Sequence, residues 1–175
     1  MELGEKAADF KLKGTDGKTH ALADYGDKPV LIVVFSCNHC PYVVAYEDRM
    51  IAIQRDYAAK GVQLLAINSN DAEEYPEDSF AEMVKRAKEK SFDFPYLRDD
   101  SQAVARAYGA THTPHLFVFD KGRTLAYTGK IDDNWQEPAK VKQRYLRDAL
   151  DALVGGKKPS EPETHAIGCT IKWKR

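Results

Sequence analysis

The chain has 175 residues, enough for one domain with a buried core, and 43% of them are hydrophobic. Its 26 Lys and Arg nearly balance its 27 Asp and Glu, and the net charge of −1 gives no electrostatic case for binding nucleic acid. The N-terminal residues lack the apolar stretch of a signal peptide, and no apolar run reaches the length of a membrane span. We therefore expect a cytoplasmic protein without a membrane partner.

The first elements predicted are a hairpin and a buried strand. Residues 8–13 alternate apolar and polar, residues 14–18 have turn chemistry, and residues 19–22 return as the second arm. After a loop, residues 30–36 form a continuous apolar, β-branched run. Such a run is typical of a strand buried on both faces.

A helix is predicted from Pro41 to about Lys60, where Gly61 ends it. Its apolar face is expected to hold Val43, Val44, Met50, Ile51, Ile53 and Tyr57. The charged residues Glu47, Asp48, Arg49 and Arg55 are expected on the opposite, solvated face.

The remaining pattern alternates strands and helices. Residues 62–68 predict a second buried strand, residues 69–78 a polar loop, residues 79–90 an amphipathic helix and residues 94–97 a short extended segment. Asp100 and Ser101 are expected to cap a helix that Gly109 ends. A hairpin over residues 115–129 and a helix over residues 141–153 follow, giving a layered α/β fold in a single domain over residues 1–175. We expect the C-terminal tail (residues 156–175) to dock on this domain.

Two of the three cysteines are arranged for redox chemistry. Cys37 and Cys40 form a Cys-x-x-Cys sequence at the turn between the strand and the helix, where they can close a small-ring disulfide. The unpaired N–H groups and the positive dipole end of the helix N-terminus favour a thiolate there. An odd total of three is unsuited to a disulfide-stapled scaffold, and in a reducing compartment a close pair is typically catalytic or metal-binding.

Cys37–Cys40, followed later by Thr113-Pro114 before an apolar strand, resembles the thioredoxin fold, in which a cis-proline loop faces the Cys-x-x-Cys turn. The N-terminal hairpin and the inserted strand-helix unit at residues 62–90 are similar to the redoxin subgroup. That subgroup includes peroxiredoxin-like proteins (alkyl hydroperoxide reductase/thiol-specific antioxidant) and thiol-disulfide reductases. The resemblance covers roughly residues 4–155 and implies a central mixed sheet flanked by helices.

The resemblance implies a thiol–disulfide oxidoreductase with no bound cofactor. Cys37, as the more exposed cysteine, would be the nucleophile with a lowered pKa, and the buried Cys40 would resolve the mixed disulfide. His39 would stabilise the Cys37 thiolate. Thr113 would pair with an incoming substrate strand beside cis-Pro114. The partners would be protein or small-molecule thiols and disulfides, together with a reductase or oxidant.

Two positions depart from the family patterns. Thioredoxins often carry a buried Asp six residues before the first cysteine, and that position is Leu31 here. The candidates for a replacement base, by residue type only, are Glu47, Asp132 and Asp133. The peroxidase motif is Pro-x-x-x-Thr/Ser-x-x-Cys. When its cysteine is aligned with Cys37, this chain has Val30 at the proline position and Val34 at the hydroxyl position, so peroxidase chemistry is disfavoured.

Alternatives remain for the cysteines. Cys37 and Cys40, with His165 and Cys169 of the tail, could supply four zinc ligands, which would make the chain a zinc-binding or redox-silent interaction module. The Cys37–Cys40 pair could also be two core cysteines. Cys169 is either a third redox thiol or a lone thiol in a docked tail.

Overall fold

A computed structural model describes all of residues 1–175. Nine strands and four α-helices alternate along the chain. They are β1 (Lys11–Gly14), β2 (Thr19–Ala21), β3 (Val30–Ser36), α1 (Pro41–Tyr57), β4 (Val62–Asn68), α2 (Phe80–Glu89), β5 (Tyr96–Arg98), α3 (Ala103–Tyr108), β6 (His112–Thr113), β7 (His115–Phe119), β8 (Leu125–Gly129), α4 (Tyr145–Val154) and β9 (Cys169–Thr170).

Seven of the strands form one mixed sheet in the order β2-β1-β5-β4-β3-β7-β8. The central strand β3 runs parallel to β4 and antiparallel to β7. The N-terminal hairpin joins the sheet through antiparallel pairing of β1 with β5. β6 and β9 form a separate two-stranded sheet. The predicted mixed sheet and both hairpins are confirmed.

Strand β3 is buried on both faces because helices cover both sides of the sheet. Val30, Ile32 and Val34 belong to the core that α1 and α4 cover, whereas the alternate residues Leu31 and Val33 face the core that α3 covers. Continuous apolar, β-branched sequence is what such a position requires. No helix is both long enough and apolar enough to cross a membrane.

Helix α1 follows the prediction except on its buried face. A 3-10 turn over Ala58–Lys60 extends it, and Gly61 ends it at φ +83°. Val44, predicted to be buried, is 43% exposed, and Glu47, predicted to be solvated, is 1% exposed. Glu47 is tolerated inside because Arg86 of α2 forms an ion pair with it.

Two other helix starts differ from the prediction. Helix α3 begins after Gln102. The hydroxyl of Ser101 accepts from the N–H of Ala103, as predicted, but the carboxylate that accepts from the next two N–H groups belongs to the buried Asp99 rather than to Asp100. The last helix starts at Tyr145 instead of at residue 141. The preceding segment contains a 3-10 turn over Pro138–Lys140.

Candidate active site

The two neighbouring cysteines lie where β3 ends and α1 begins. Cys37 directly follows the last residue of β3, and Cys40 is the N-cap of α1, with Pro41 as the first helical residue. The backbone N–H of Cys40 points to the Cys37 sulfur at 3.3 Å. A strand buried on both faces therefore delivers the two thiols rigidly to the N-terminus of a helix, as the sequence predicts.

The accessibility expected for Cys37 is wrong in this structure. Cys37 is only 2% exposed and Cys40 is 3% exposed, so neither thiol meets the solvent freely. The pKa of Cys37 is raised well above its ordinary value rather than lowered. The causes are its hydrogen bond to the Cys40 sulfur, its burial, and the nearby charge of Asp78.

Cys40 instead holds the more acidic thiol. The hydrogen bond from Cys37 is the largest cause that lowers its pKa, to about 4, and a hydrogen bond from Cys169 adds to the effect against the opposing cost of burial. The three thiols interact, so their titrations are coupled. The lowered pKa makes Cys40 the thiol of the pair that ionises more readily.

A buried carboxylate fixes the turn between the cysteines. Asp78, which is completely buried, accepts a hydrogen bond of 2.8 Å from the backbone N–H of Asn38. The side chain of Asn38 donates to the carbonyl of Glu77 and accepts from the hydroxyl of Tyr96 at 2.7 Å. The amides of Asn68 and Asn70 also donate to Asp78. These contacts make Asn38 a rigid link between the thiols.

The polar partners of His39 differ from the one predicted for it. Its side chain is 43% exposed, and its ring nitrogens lie 3.5 Å from a carboxylate oxygen of Glu77 and 3.4 Å from one of Asp78. These carboxylates, and not the sulfur of Cys37, are its polar partners. His39 therefore bridges the turn to the segment around Asp78.

The three base candidates chosen by residue type are occupied elsewhere. Glu47 is paired with Arg86. Asp132 accepts hydrogen bonds from Tyr46 and Arg49. Asp133 accepts one from the backbone N–H of Lys142. The carboxylate beside the thiols is that of Asp78, at the end of the polar loop predicted over residues 69–78.

A sequence signal for Asp78 and its neighbours existed. Parallel strands β3 and β4 end at the same edge of the sheet, so residues that follow β4 must lie beside the residues that follow β3. A strongly polar stretch begins with Asn68 at the end of β4, and its members Ser69, Asn70 and Asp71 are all buried. Polar residues in that position favour a site rather than a solvated loop.

The predicted substrate-binding segment faces the thiols. The Thr113–Pro114 peptide bond is cis. The hydroxyl of Thr113 lies 3.6 Å from the sulfur of Cys37, and its carbonyl oxygen lies 3.6 Å from the sulfur of Cys40. Thr113 therefore touches both thiols at once.

The C-terminal tail occupies the space in front of this segment. In the antiparallel pair of β6 and β9, Cys169 lies opposite Thr113, and His112 lies opposite Thr170. The sulfur of Cys169 is 2.6 Å from that of Cys40, and all three cysteines are present as thiols. The structure thus brings together Cys37, Cys40, Thr113, Pro114 and Cys169.

The donor set considered for zinc is not assembled. No group of three or more His, Cys, Asp or Glu side chains is arranged to hold a metal ion. His165, the fourth donor considered, lines a cavity with His112 and His115. The zinc alternative therefore has no coordination group in this conformation.

Comparisons with known proteins show which families and folds the chain is similar to. Residues 3–128 match the AhpC/TSA family. A thiol-disulfide oxidoreductase ResA from Geobacillus thermodenitrificans is 30% identical over 123 residues, which are 69% of this chain and 65% of that protein. The chain therefore spans slightly less than two thirds of that relative.

Two solved structures have folds similar to that of this chain. An uncharacterized conserved protein from Geobacillus kaustophilus superposes with a TM-score of 0.94 at 42% identity, over 99% of this chain and 93% of that one. A putative thioredoxin from Neisseria meningitidis gives a TM-score of 0.66 at 25% identity, over 85% of this chain and 90% of that one. The fold is thioredoxin-like, as the sequence predicted.

Proposed function

The chain belongs to the AhpC/TSA family, and on that premise we propose that it is a thiol–disulfide oxidoreductase in which Cys37 and Cys40 form the redox pair. The substrates are disulfides or thiols of proteins or small molecules, and an external thiol or disulfide partner regenerates the pair. The resemblance of the chain to a thiol-disulfide oxidoreductase ResA supports this proposal.

The observation that carries the proposal is the convergence of the two thiols with Thr113. A buried pair of structural cysteines would not need a thiolate, yet the surroundings of Cys40 lower its pKa to about 4, first through the hydrogen bond from Cys37. A thiolate at neutral pH is the reactive form in disulfide exchange. The adjoining backbone of Thr113 pairs with Cys169 of the tail, which supports the proposal that an extended peptide can align on this strand edge.

The reaction proceeds as two exchanges. A thiolate of the pair attacks one sulfur of the substrate disulfide, a protein–substrate disulfide forms, and the other substrate sulfur leaves as a thiolate. The second cysteine of the pair loses its proton and attacks the protein sulfur of this mixed disulfide. The Cys37–Cys40 disulfide forms and the second substrate sulfur leaves, so that two electrons and two protons pass to the substrate.

Reduction of insulin disulfides with dithiothreitol as the electron donor tests the proposal. We expect the wild-type protein to accelerate the reduction, and the Cys37→Ser and Cys40→Ser proteins to lose the acceleration. If Cys37 attacks first, as the family resemblance implies, the Cys40→Ser protein accumulates a mixed disulfide through Cys37. Thr170→Ser, an exposed change in the tail, is the matched control. Wild-type protein that leaves the insulin rate unchanged would refute the proposal.

A further inference from the structure

The C-terminal tail is held on both sides of the thiols. Before them, the backbone N–H of Thr164 donates to the carbonyl of Thr128 in β8, and the Thr164 hydroxyl accepts a hydrogen bond from the backbone N–H of Lys130. After them, Ile171 donates to the carbonyl of Thr111 and is buried. The intervening residues cross the face of the molecule that carries Cys37 and Cys40.

The end of the tail is anchored by a polar network of its own. The backbone N–H of Lys172 donates to the side chain of Asn70, and its carbonyl accepts from Asp71 and Gln102. The guanidinium of Arg106 lies 4.6 Å from the ring centroid of Trp173. This docking fixes the position of Cys169 relative to the thiols.

The close approach of the tail depends on Gly168. A Cβ atom at this position would clash with the carbonyl oxygen of Thr113 and lie 2.7 Å from its carbonyl carbon. The backbone of the tail therefore passes directly over the cis-proline segment, where no side chain fits. The next residue, Cys169, is thereby brought to Cys40.

The tail has the geometry of a bound peptide. An extended segment lies antiparallel to Thr113, with a cysteine placed against a thiol of the redox pair, which is how a substrate strand adds to an open sheet edge. The occupant here is a segment of the same chain. We propose that Cys169 is a third redox-active thiol that forms a disulfide with Cys40, so that the tail serves as an internal substrate of the redox pair. This inference rests on the proposed function.

The exchange is balanced without an added oxidant once the pair has been oxidised by its substrate. Burial and the neighbouring Cys40 raise the pKa of Cys169 to about 11 in the reduced site, so Cys169 gives up its proton as its sulfur attacks the Cys40 sulfur of the Cys37–Cys40 disulfide. The Cys40–Cys169 bond forms, the Cys37–Cys40 bond breaks, and Cys37 leaves as a thiolate that takes up the proton Cys169 has lost. The number of disulfides is unchanged, and the disulfide has moved from the buried turn to the tail.

The surroundings of the sulfurs favour reduction of the Cys40–Cys169 disulfide by an external thiol. Cys169 is the more accessible partner, since Cys40 is only 3% exposed and Cys169 is partly exposed. An external thiolate that attacks the Cys169 sulfur expels Cys40, whose low pKa makes it a good leaving group. A second external thiol then attacks the mixed disulfide at Cys169 and restores the reduced tail. The tail thereby connects two buried thiols with partners in solution.

The test maps disulfides in the Cys37→Ser protein, in which Cys37 can no longer compete with Cys169 for Cys40. Reduced Cys37→Ser protein is equilibrated in glutathione buffers with increasing fractions of glutathione disulfide, quenched with acid, alkylated, and analysed by peptide mass mapping without reduction. We expect an intramolecular Cys40–Cys169 disulfide to form before glutathione is added to either cysteine. Glutathione adducts alone, at every ratio, would overturn the inference.

The wild-type protein, mapped in the same buffers, keeps the test independent of the folding of the variant. We expect both the Cys37–Cys40 and the Cys40–Cys169 disulfides, and only the first in the Cys169→Ser protein. The Thr170→Ser protein, which retains all three thiols, should match the wild type. Wild-type protein in which Cys169 is always alkylated would refute the role of Cys169.

The insulin assay separates this inference from the proposed function. If the wild-type protein reduces insulin and forms the Cys37–Cys40 disulfide while Cys169 never pairs, the proposed function stands and the inference fails. If the wild-type protein neither reduces insulin nor forms the Cys37–Cys40 disulfide at any glutathione ratio, the proposed function itself fails.

Discussion

The carboxylate of Asp78 accepts a hydrogen bond of 2.8 Å from the backbone N–H of Asn38, the first residue between Cys37 and Cys40. Asp78 is completely buried. The pKa of Cys37 is raised well above its ordinary value by the hydrogen bond to Cys40, by burial and by the charge of Asp78. One carboxylate therefore both fixes the turn and opposes the ionisation of the first thiol.

The substitution Asp78→Asn separates these two effects. An amide has nearly the shape of the carboxylate, so its oxygen can still accept the hydrogen bond from Asn38. The negative charge is gone, and the oxygen that accepts from Asn70 is replaced by an NH2 group. A thiolate beside a neutral group is more stable than one beside an anion, so we expect the pKa of Cys37 to fall toward its ordinary value. The measurement is the pH dependence of iodoacetamide alkylation at Cys37, followed by peptide mass mapping.

Asp133→Asn is the matched control for this change. Asp133 is exposed and accepts a hydrogen bond from the backbone of Lys142, away from the thiols. We expect the pH dependence of alkylation at Cys37 in the Asp133→Asn protein to match that of the wild type. An unchanged profile in the Asp78→Asn protein as well would mean that Asp78 has only a structural role.

The buried ion pair of Glu47 and Arg86 should act on stability and not on the thiols. In Arg86→Met the charge of Glu47 stays buried without its partner, and removal of one member of such a pair typically costs about 3–5 kcal/mol. Because Arg86 is itself partly exposed, we expect roughly 3 kcal/mol, measured by urea unfolding of the reduced protein.

The control for Arg86 is Lys85→Met, its exposed neighbour, whose pair with Glu82 lies on the surface. We expect a change in the free energy of unfolding within about 0.5 kcal/mol. A stability of the Arg86→Met protein equal to that of this control would show that Glu47 is solvated or protonated.

The sequence predicts the scaffold better than the site because different forces determine them. The apolar period of β3 and the glycine after α1 encode local structure, and both elements were confirmed. The burial of Glu47 depends on Arg86, 39 positions along the chain, and periodicity carries no information about such a partner. A charged residue is expected outside unless its partner is known.

The accessibility of Cys37 could not be predicted for a related reason. The family resemblance implies that the first cysteine of the turn is the more exposed one. The tail that covers it lies outside the region of resemblance, and its position depends on the contacts of Gly168 and Ile171. Pairing of β6 with β9 joins residues more than 50 positions apart, which no local pattern specifies.

His115, next to the cis-proline, should make folding sensitive to acid. Burial lowers its pKa to about 4, with smaller contributions from the charges of His112 and the N-terminus. The ordinary pKa of a histidine is about 6.5. Between this pH and pH 4, His115 is therefore protonated in the unfolded chain and neutral in the folded chain. Stability is therefore lost as the pH falls from about 6.5 through 4, by up to about 3 kcal/mol.

The variant His115→Asn tests this assignment, since its side-chain oxygen can still accept the hydrogen bond that the backbone of Thr111 donates to the ring. The carboxylates titrate in both proteins. We therefore expect the difference in unfolding free energy between wild type and variant to change sign or shrink over this pH range. The control histidine change is His165→Asn, because the side chain of His165 is exposed.

Gly168→Ala tests whether the tail covers the thiols in solution. Its Cβ would clash with the carbonyl of Thr113, a backbone group that cannot move aside, so β9 must shift away from β6. We expect Cys37 and Cys40 to be alkylated at least about tenfold faster, with a loss of stability of about 1–3 kcal/mol. The share of the Cys40–Cys169 disulfide in the oxidised protein should fall.

The matched glycine-to-alanine control is Gly26, which has φ −60° and would place its Cβ 3.4 Å from the carbonyl oxygen of Ala23. There the methyl group fits, so alkylation rates and disulfide pattern should equal those of the wild type. If Gly168→Ala also behaves like the wild type, the tail does not restrict access to the thiols. If instead alkylation accelerates while the disulfide pattern stays constant, Cys169 reaches Cys40 without the paired strand, and the strand serves only as a cover.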